Sequence, residues 1–159
     1  MAFPIRKLLL VSLLSALGSA GALAAEQSHF EHFITRDGAA LKDGDRVFRF
    51  AGIHAPELHR IEDDARGTCK ADPRGWGQYF RWPTAEEQEN WIKALVQTGA
   101  KVQRVYVLSV QQENDAACGR ETHILAPATP DGMPRLNETA MKVYDNMIAE
   151  ADKQGLRLI

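Results

Sequence analysis

Two imidazoles and a carboxylate fall within six positions at His54, Glu57 and His59. Side chains of these types can ligate a divalent metal or hydrogen-bond the hydroxyls of a polar substrate. Pro56 sits inside the group and prevents the helical geometry in which a His-x-x-Glu-His motif holds zinc, which favours substrate contact over metal binding. Trp76, Tyr79, Phe80 and Trp82 crowd into seven positions. Aromatic faces can stack on the apolar faces of sugar rings, or can pin a loop to the body of the protein as a satellite core. Trp76, flanked by Gly75 and Gly77, is the least packed by its neighbours and is the first choice for a ligand contact.

The elements that must position these groups follow from the surrounding pattern. In V-F-R-F-A-G-I-H-A-P-E-L-H, residues 47–59, Phe48 and Phe50 occupy one phase of a period-two pattern and Val47, Ala51 and Ile53 the other. Apolar side chains in both phases predict a strand covered on both faces. Gly52 leaves room for close approach, and Pro56 marks where pairing stops. The strand would thus present His54, Glu57 and His59 at its carboxyl end, where α/β folds carry their ligand sites. Turn residues at 36–38 and 42–45 predict a small hairpin before it, covering the bottom of the sheet or barrel. A long segment without sustained period follows, 55–83, and loops of that length tend to be functional.

Thr84 and Glu87 have capping-box spacing, and Trp91, Ile92, Leu95 and Val96 form a helical stripe that Gly99 ends. Residues 102–110 then read as a second strand, giving a βαβ unit with a parallel sheet. After an irregular stretch, 111–136, Asn137 caps a second helix with Met141, Tyr144, Ile148 and Ala151 inward and Gly155 at its end. Residues 156–159 begin a third strand. Three strands cannot close a barrel and the open third strand would present unpaired N–H and C=O groups, so the 159 residues alone are expected to be aggregation-prone and not to form a stable, active monomer.

Composition is that of ordinary globular sequence, 45% hydrophobic and 25% charged. The opening M-A-F-P-I-R-K, the apolar run 8–17 and the small residues up to Ala24 have the three regions of a secretory signal peptide, residues 1–24, followed by one domain over 25–159. Export to periplasm or medium is expected, with no membrane association after cleavage. Removing Arg6 and Lys7 leaves acidic side chains four in excess of basic ones, which gives no electrostatic case for a nucleic-acid partner. In an oxidising compartment the only two cysteines, Cys69 and Cys118, are expected to pair. Each lies in the loop after one of two strands expected to be neighbours, so both loops rise from the same face.

The succession of hairpin, F-R-F-A-G-I-H, capped helix, G-A-K-V-Q-R-V-Y, helix and A-D-K-Q-G-L-R-L-I resembles the start of a glycoside hydrolase family 5 catalytic domain, nearest to its mannanase-like and cellulase-like members. The resemblance covers the chain from about Phe30 onward. It implies the amino-terminal portion of a (β/α)8 TIM barrel and cleavage of β-linked polysaccharide, of mannan or glucan type, with no cofactor. Gly99, Val102, Arg104 and Tyr106 fit the family's second-strand frame, whereas Lys101, Gln103 and His54 depart from it. By that resemblance Arg104 is a supporting residue that orients the nucleophile, and His54, Glu57, His59 and Trp76 are sugar contacts. The family's two glutamates belong to its fourth and seventh strands, so Glu57, Glu113 and Glu121 are not assigned as catalytic. Two other functions fit parts of the same residues: a non-catalytic carbohydrate-binding barrel, and a metal-dependent hydrolase using His54, Glu57 and His59.

Overall fold

A computed structural model describes residues 27–55, 58–63, 66–71, 79–106 and 108–159. The signal-peptide segment, Glu57 and Trp76 lie outside the described residues. The fold is mixed α/β, built on a parallel sheet of three strands in the order β10-β7-β4. These strands are β4 (Gly52–His54), β7 (Val102–Arg104) and β10 (Arg157–Leu158), and the helices α1 (Ala85–Gln97) and α2 (Glu138–Lys153) connect them in turn. Each strand therefore lies beside the next one in sequence, with Gly52, Ile53 and His54 opposite Val102, Gln103 and Arg104. Arg157 and Leu158 pair with Val102 and Gln103 on the other side of β7. Among the described residues no barrel is closed.

Local chemistry explains the two helices. Thr84 accepts from the Glu87 N–H at 3.1 Å and the Glu87 carboxylate accepts from the Thr84 N–H at 2.9 Å, so the capping box is complete. The Asn137 side chain caps α2 by accepting from Thr139 N–H. Gly99 and Gly155 follow the helices with φ of 83° and 74°, a region that favours glycine. The helices pack on each other through Ile92, Leu95, Met147 and Ala151, joined by Leu58 and Leu156 in one core. Each large aliphatic side chain in it contributes roughly 1.5–3 kcal/mol on burial. The faces differ from the expected stripes in one respect each: Trp91 is 43% and Ile148 54% exposed. Gln88 and Met147 take the inward places instead.

The predicted strand over 47–53 is two strands. Its first part is β3 (Arg46–Phe48), which closes an antiparallel meander with β1 (Ile34–Asp37) and β2 (Ala40–Asp43). Only the second part, β4, enters the parallel sheet, and Val47, Phe50 and Ile53 are exposed, so two covered faces are not observed. Ring stacking accounts for the break: Phe48 and Phe50 meet at 5.6 Å, and the Arg157 guanidinium lies over both Phe48 and Phe30 while bonding Asp43. Those contacts hold the meander at the amino-terminal end of the sheet. Gly52 is needed where β4 meets β7, because a Cβ there would stand 2.5 Å from the Val102 carbonyl oxygen. Short antiparallel pairs also interrupt both long irregular segments: β5 (Ile61–Glu62) with β6 (Phe80–Arg81), and β8 (Ile124–Leu125) with β9 (Arg135–Leu136).

Candidate functional site at the carboxyl ends of the parallel strands

His54 and Arg104 end β4 and β7 as register partners, so the sheet itself sets them side by side. The Arg104 carbonyl is the hub of the junction. It accepts from the Ala55 N–H at 3.3 Å and the Gln103 side-chain amide at 2.7 Å, and His54 Nδ1 lies 3.1 Å away. A carbonyl can only accept, which assigns the His54 proton to Nδ1 and leaves the Nε2 lone pair available to a ligand hydroxyl. Gln103, fully buried, also donates to the Ala55 carbonyl at 3.1 Å, so one amide ties both strand ends together. Tyr106 stands edge-on to His54 at 4.5 Å and is half exposed. The Arg104 side chain is exposed, and no carboxylate among the described residues forms an ion pair with it. His54, Tyr106 and Arg104 thus form an open surface with one acceptor, one aromatic edge and one cation.

Behind this surface lies a cluster of rings. His59 is only 3% exposed and contacts Tyr106, Tyr144 and His123 at 6.3, 5.6 and 5.1 Å. The structure therefore places His59 as a backing residue to Tyr106. Tyr144, from α2, donates its hydroxyl to the Tyr106 carbonyl at 3.0 Å and holds the end of β7 against the helix layer. His123 is fully buried among His59, Trp82 and Tyr144. Its Nδ1 accepts the Ser109 N–H at 3.1 Å and lies 2.7 Å from the Ser109 hydroxyl, which puts the proton on Nε2. Burial, followed by repulsion from His59 and Arg60, lowers its pKa from 6.5 to about 4, so the ring is neutral at physiological pH.

The rim is cross-linked. Cys69, after β4, and Cys118, after β7, form a disulfide with a Cα separation of 5.6 Å. Beneath it the buried pair of Asp115 and Arg120 lies at 3.6 Å, and Asp115 also accepts from the Gln112 N–H. The aromatics in the described part of the first long loop are engaged: Tyr79 under Arg66, Phe80 under Arg60, and Trp82 against His123 while donating to Glu121. They form the satellite cluster that pins the loop.

Of the residues singled out from sequence, His54 and Arg104 come together, His59 backs them, and Cys69 and Cys118 join the loops above. Glu57 and Trp76 lie outside the described residues. Among the described residues, no group of three or more His, Cys, Asp or Glu side chains is placed to hold a metal ion. Gln103, His123 and Tyr144 belong to the site and carry no obvious sequence signal for it. The signal for Gln103 is an uncharged polar side chain within a β-branched, aromatic-rich strand.

No family model and no curated protein matches the chain. Among solved structures, the chain is similar to the endo-1,4-beta-mannanase from Rhizomucor miehei, with a TM-score of 0.56 and 12% sequence identity. The similarity covers 80% of this chain and 28% of the mannanase. At that identity it concerns the backbone arrangement, and it is a distant, mannanase-like likeness of a mixed α/β fold.

Proposed function

We propose that this chain is the amino-terminal sector of an exported (β/α)8 glycoside hydrolase acting on a β-linked polysaccharide of mannan or glucan type. The observation that carries this is the sequential parallel order of β4, β7 and β10, in an arrangement similar over 80% of the chain to a β-mannanase of which it spans 28%. In a barrel, neighbouring strands run in this order and the ligand sits at their carboxyl ends. That end here carries His54, Arg104 and Tyr106. In the proposed mechanism two glutamates supplied beyond Ile159 act as acid/base and nucleophile. Arg104 fixes the nucleophile in its ionised form, His54 accepts a sugar hydroxyl at Nε2, and Tyr106 lies against a sugar face. Glu57 and Trp76 are assigned as further contacts, and His59 as a positioning residue behind Tyr106.

The test is the release of reducing ends from β-mannan and β-glucan by the intact gene product and its Arg104→Ala variant. Loss of the guanidinium is expected to lower kcat about a hundredfold, the scale of a misplaced reacting group, with a smaller change in KM. An unchanged kcat would remove Arg104 from the mechanism. Binding without any hydrolysis would identify a non-catalytic carbohydrate-binding protein.

A further inference from the structure

The chain is acidic, yet one small pocket beside the disulfide collects positive charge. It has a volume of about 210 Å³ and is lined by Arg60, Arg66, Arg81, Phe80, Trp82 and Glu121, with Gly119 at its edge. Arg81 is spoken for by two bonds to Glu87, at 2.6 and 2.8 Å. Glu121 accepts from the Trp82 indole N–H. Arg60 and Arg66 are different. Each guanidinium lies flat on an aromatic ring, Arg60 3.8 Å above Phe80 and Arg66 4.2 Å above Tyr79. No carboxylate among the described residues forms an ion pair with either.

A guanidinium stacked on a ring keeps its N–H edge in the open plane, which is the edge that grips a carboxylate in a bidentate fork. Burial, joined by repulsion from Arg120, pulls the Arg60 pKa down against the attraction of Asp115, Glu62 and Tyr144. The walls are also fixed relative to each other. Arg60 and Arg66 lie on the segment after β4, Gly119 and Glu121 on the segment after β7, and Cys69–Cys118 bonds the two. Gly119 has φ of 56°, and a Cβ there would stand 3.2 Å from an Arg66 nitrogen, so the guanidinium occupies space that only glycine leaves easily.

We infer that this pocket is a carboxylate-recognising subsite for acidic sugar units, uronates, carried on the polysaccharide. The assignment rests on the proposed glycan-binding function for its choice of a sugar acid. The pocket and the strand-end surface share one packed support: Trp82 at the pocket contacts the buried His123 ring, His123 contacts the buried His59 ring, and His59 backs Tyr106, which meets His54. In this assignment a charged unit of a bound glycan lies over Arg60 and Arg66, while neutral units occupy the strand ends at His54 and Tyr106.

Affinity electrophoresis of the intact gene product tests this with two polymers, a glucuronate-bearing β-glycan and the same glycan with its carboxyl groups reduced to alcohols. Retention by the acidic polymer is expected to be stronger by about tenfold in Kd, the scale of one charge-assisted hydrogen-bonded pair. Arg66→Ala should abolish that difference and leave retention by the reduced polymer unchanged. Arg60→Gln, which preserves bulk and hydrogen bonding, should do the same. Equal retention of both polymers by the unmodified protein overturns the inference, as does a preference that survives both substitutions. Sulfate added at constant ionic strength separates a sugar site from a general anion site: sulfate competing as well as free glucuronate would also overturn it. Hydrolysis of unsubstituted β-mannan is followed on the same samples. Its absence with the charge preference intact would remove the hydrolase proposal and leave the subsite standing.

Discussion

The helix layer and the strand-end cluster are both well buried, but they are held together by different physics. Between α1 and α2 the packing is apolar and periodic, with Ile92, Leu95, Met147 and Ala151 at helical spacing. The polar group admitted there, Gln88, is satisfied by donating to the Leu58 and Val143 carbonyls and accepting from Asn146. At the strand ends the buried groups are imidazoles, amides and an ion pair, fixed by side-chain to backbone hydrogen bonds and a disulfide. The apolar contacts between the helices tolerate changes in pH and redox state, because Leu58, Ile92, Leu95, Met147, Ala151 and Leu156 carry no group that titrates or is reduced. The strand-end cluster depends on both.

Redox state should separate the two regions most strongly. Cys69 and Cys118 are separated by 49 residues, and a closed loop of that size is worth about 4 kcal/mol in the chain-entropy account. Replacing both cysteines by serine is expected to cost most of that in denaturant unfolding of the intact protein. It should also raise hydrogen exchange over 108–125 while α1 and α2 remain protected. Uniform loss of protection across both regions would mean that they are not separable.

Acidification should give the next largest effect. His123 titrates near 4 when folded and near its ordinary 6.5 when unfolded, so between those values the unfolded chain binds the extra proton. Its contribution is complete above pH 6.5, falls as pH drops toward 4 and then levels off, a loss of ~3 kcal/mol. Glu87, held down to about 2 chiefly by its hydrogen bond from Arg81, acts in a separate window, its support being lost from about pH 4.5 to 2. His123→Phe should flatten the upper window. Ile92→Ala, in the helix layer, should lower stability by a similar amount at both ends of it. A stability profile for His123→Phe that still falls between pH 6.5 and 4 would assign the slope to other groups.

The same division describes what could be read from sequence. Capping chemistry at Thr84, Glu87 and Asn137, the glycine stops and the strand-helix-strand order were legible because each rests on local spacing. Trp91 and Ile148 were misplaced because hydropathy alone puts them inward, whereas Gln88 reaches inward on the strength of hydrogen bonds that no periodicity reveals. The break between β3 and β4 has no local signature for a similar reason. Alternating apolar residues run through it without interruption, and the cause lies in Arg157, more than a hundred positions away, stacking on Phe30 and Phe48. At the site, His54 could be named because it follows a buried strand pattern, and Arg104 because Gly99, Val102 and Tyr106 frame it as in the second strand of the family the sequence resembles. His123 could not, since it sits in an irregular segment and becomes buried only when Ser109, Trp82 and Tyr144 close around it.

On the proposed function, the carboxyl ends of β4 and β7 face a β-linked glycan. A crystal structure of the intact gene product with a bound β-1,4-linked mannooligosaccharide measures this directly. A sugar unit against Tyr106, with a hydroxyl donating to His54 Nε2 and a glutamate from a later strand held by Arg104, is the predicted result. Sugar bound at the opposite, meander end of the sheet, or a metal ion held by His54 in place of a sugar, would contradict the account.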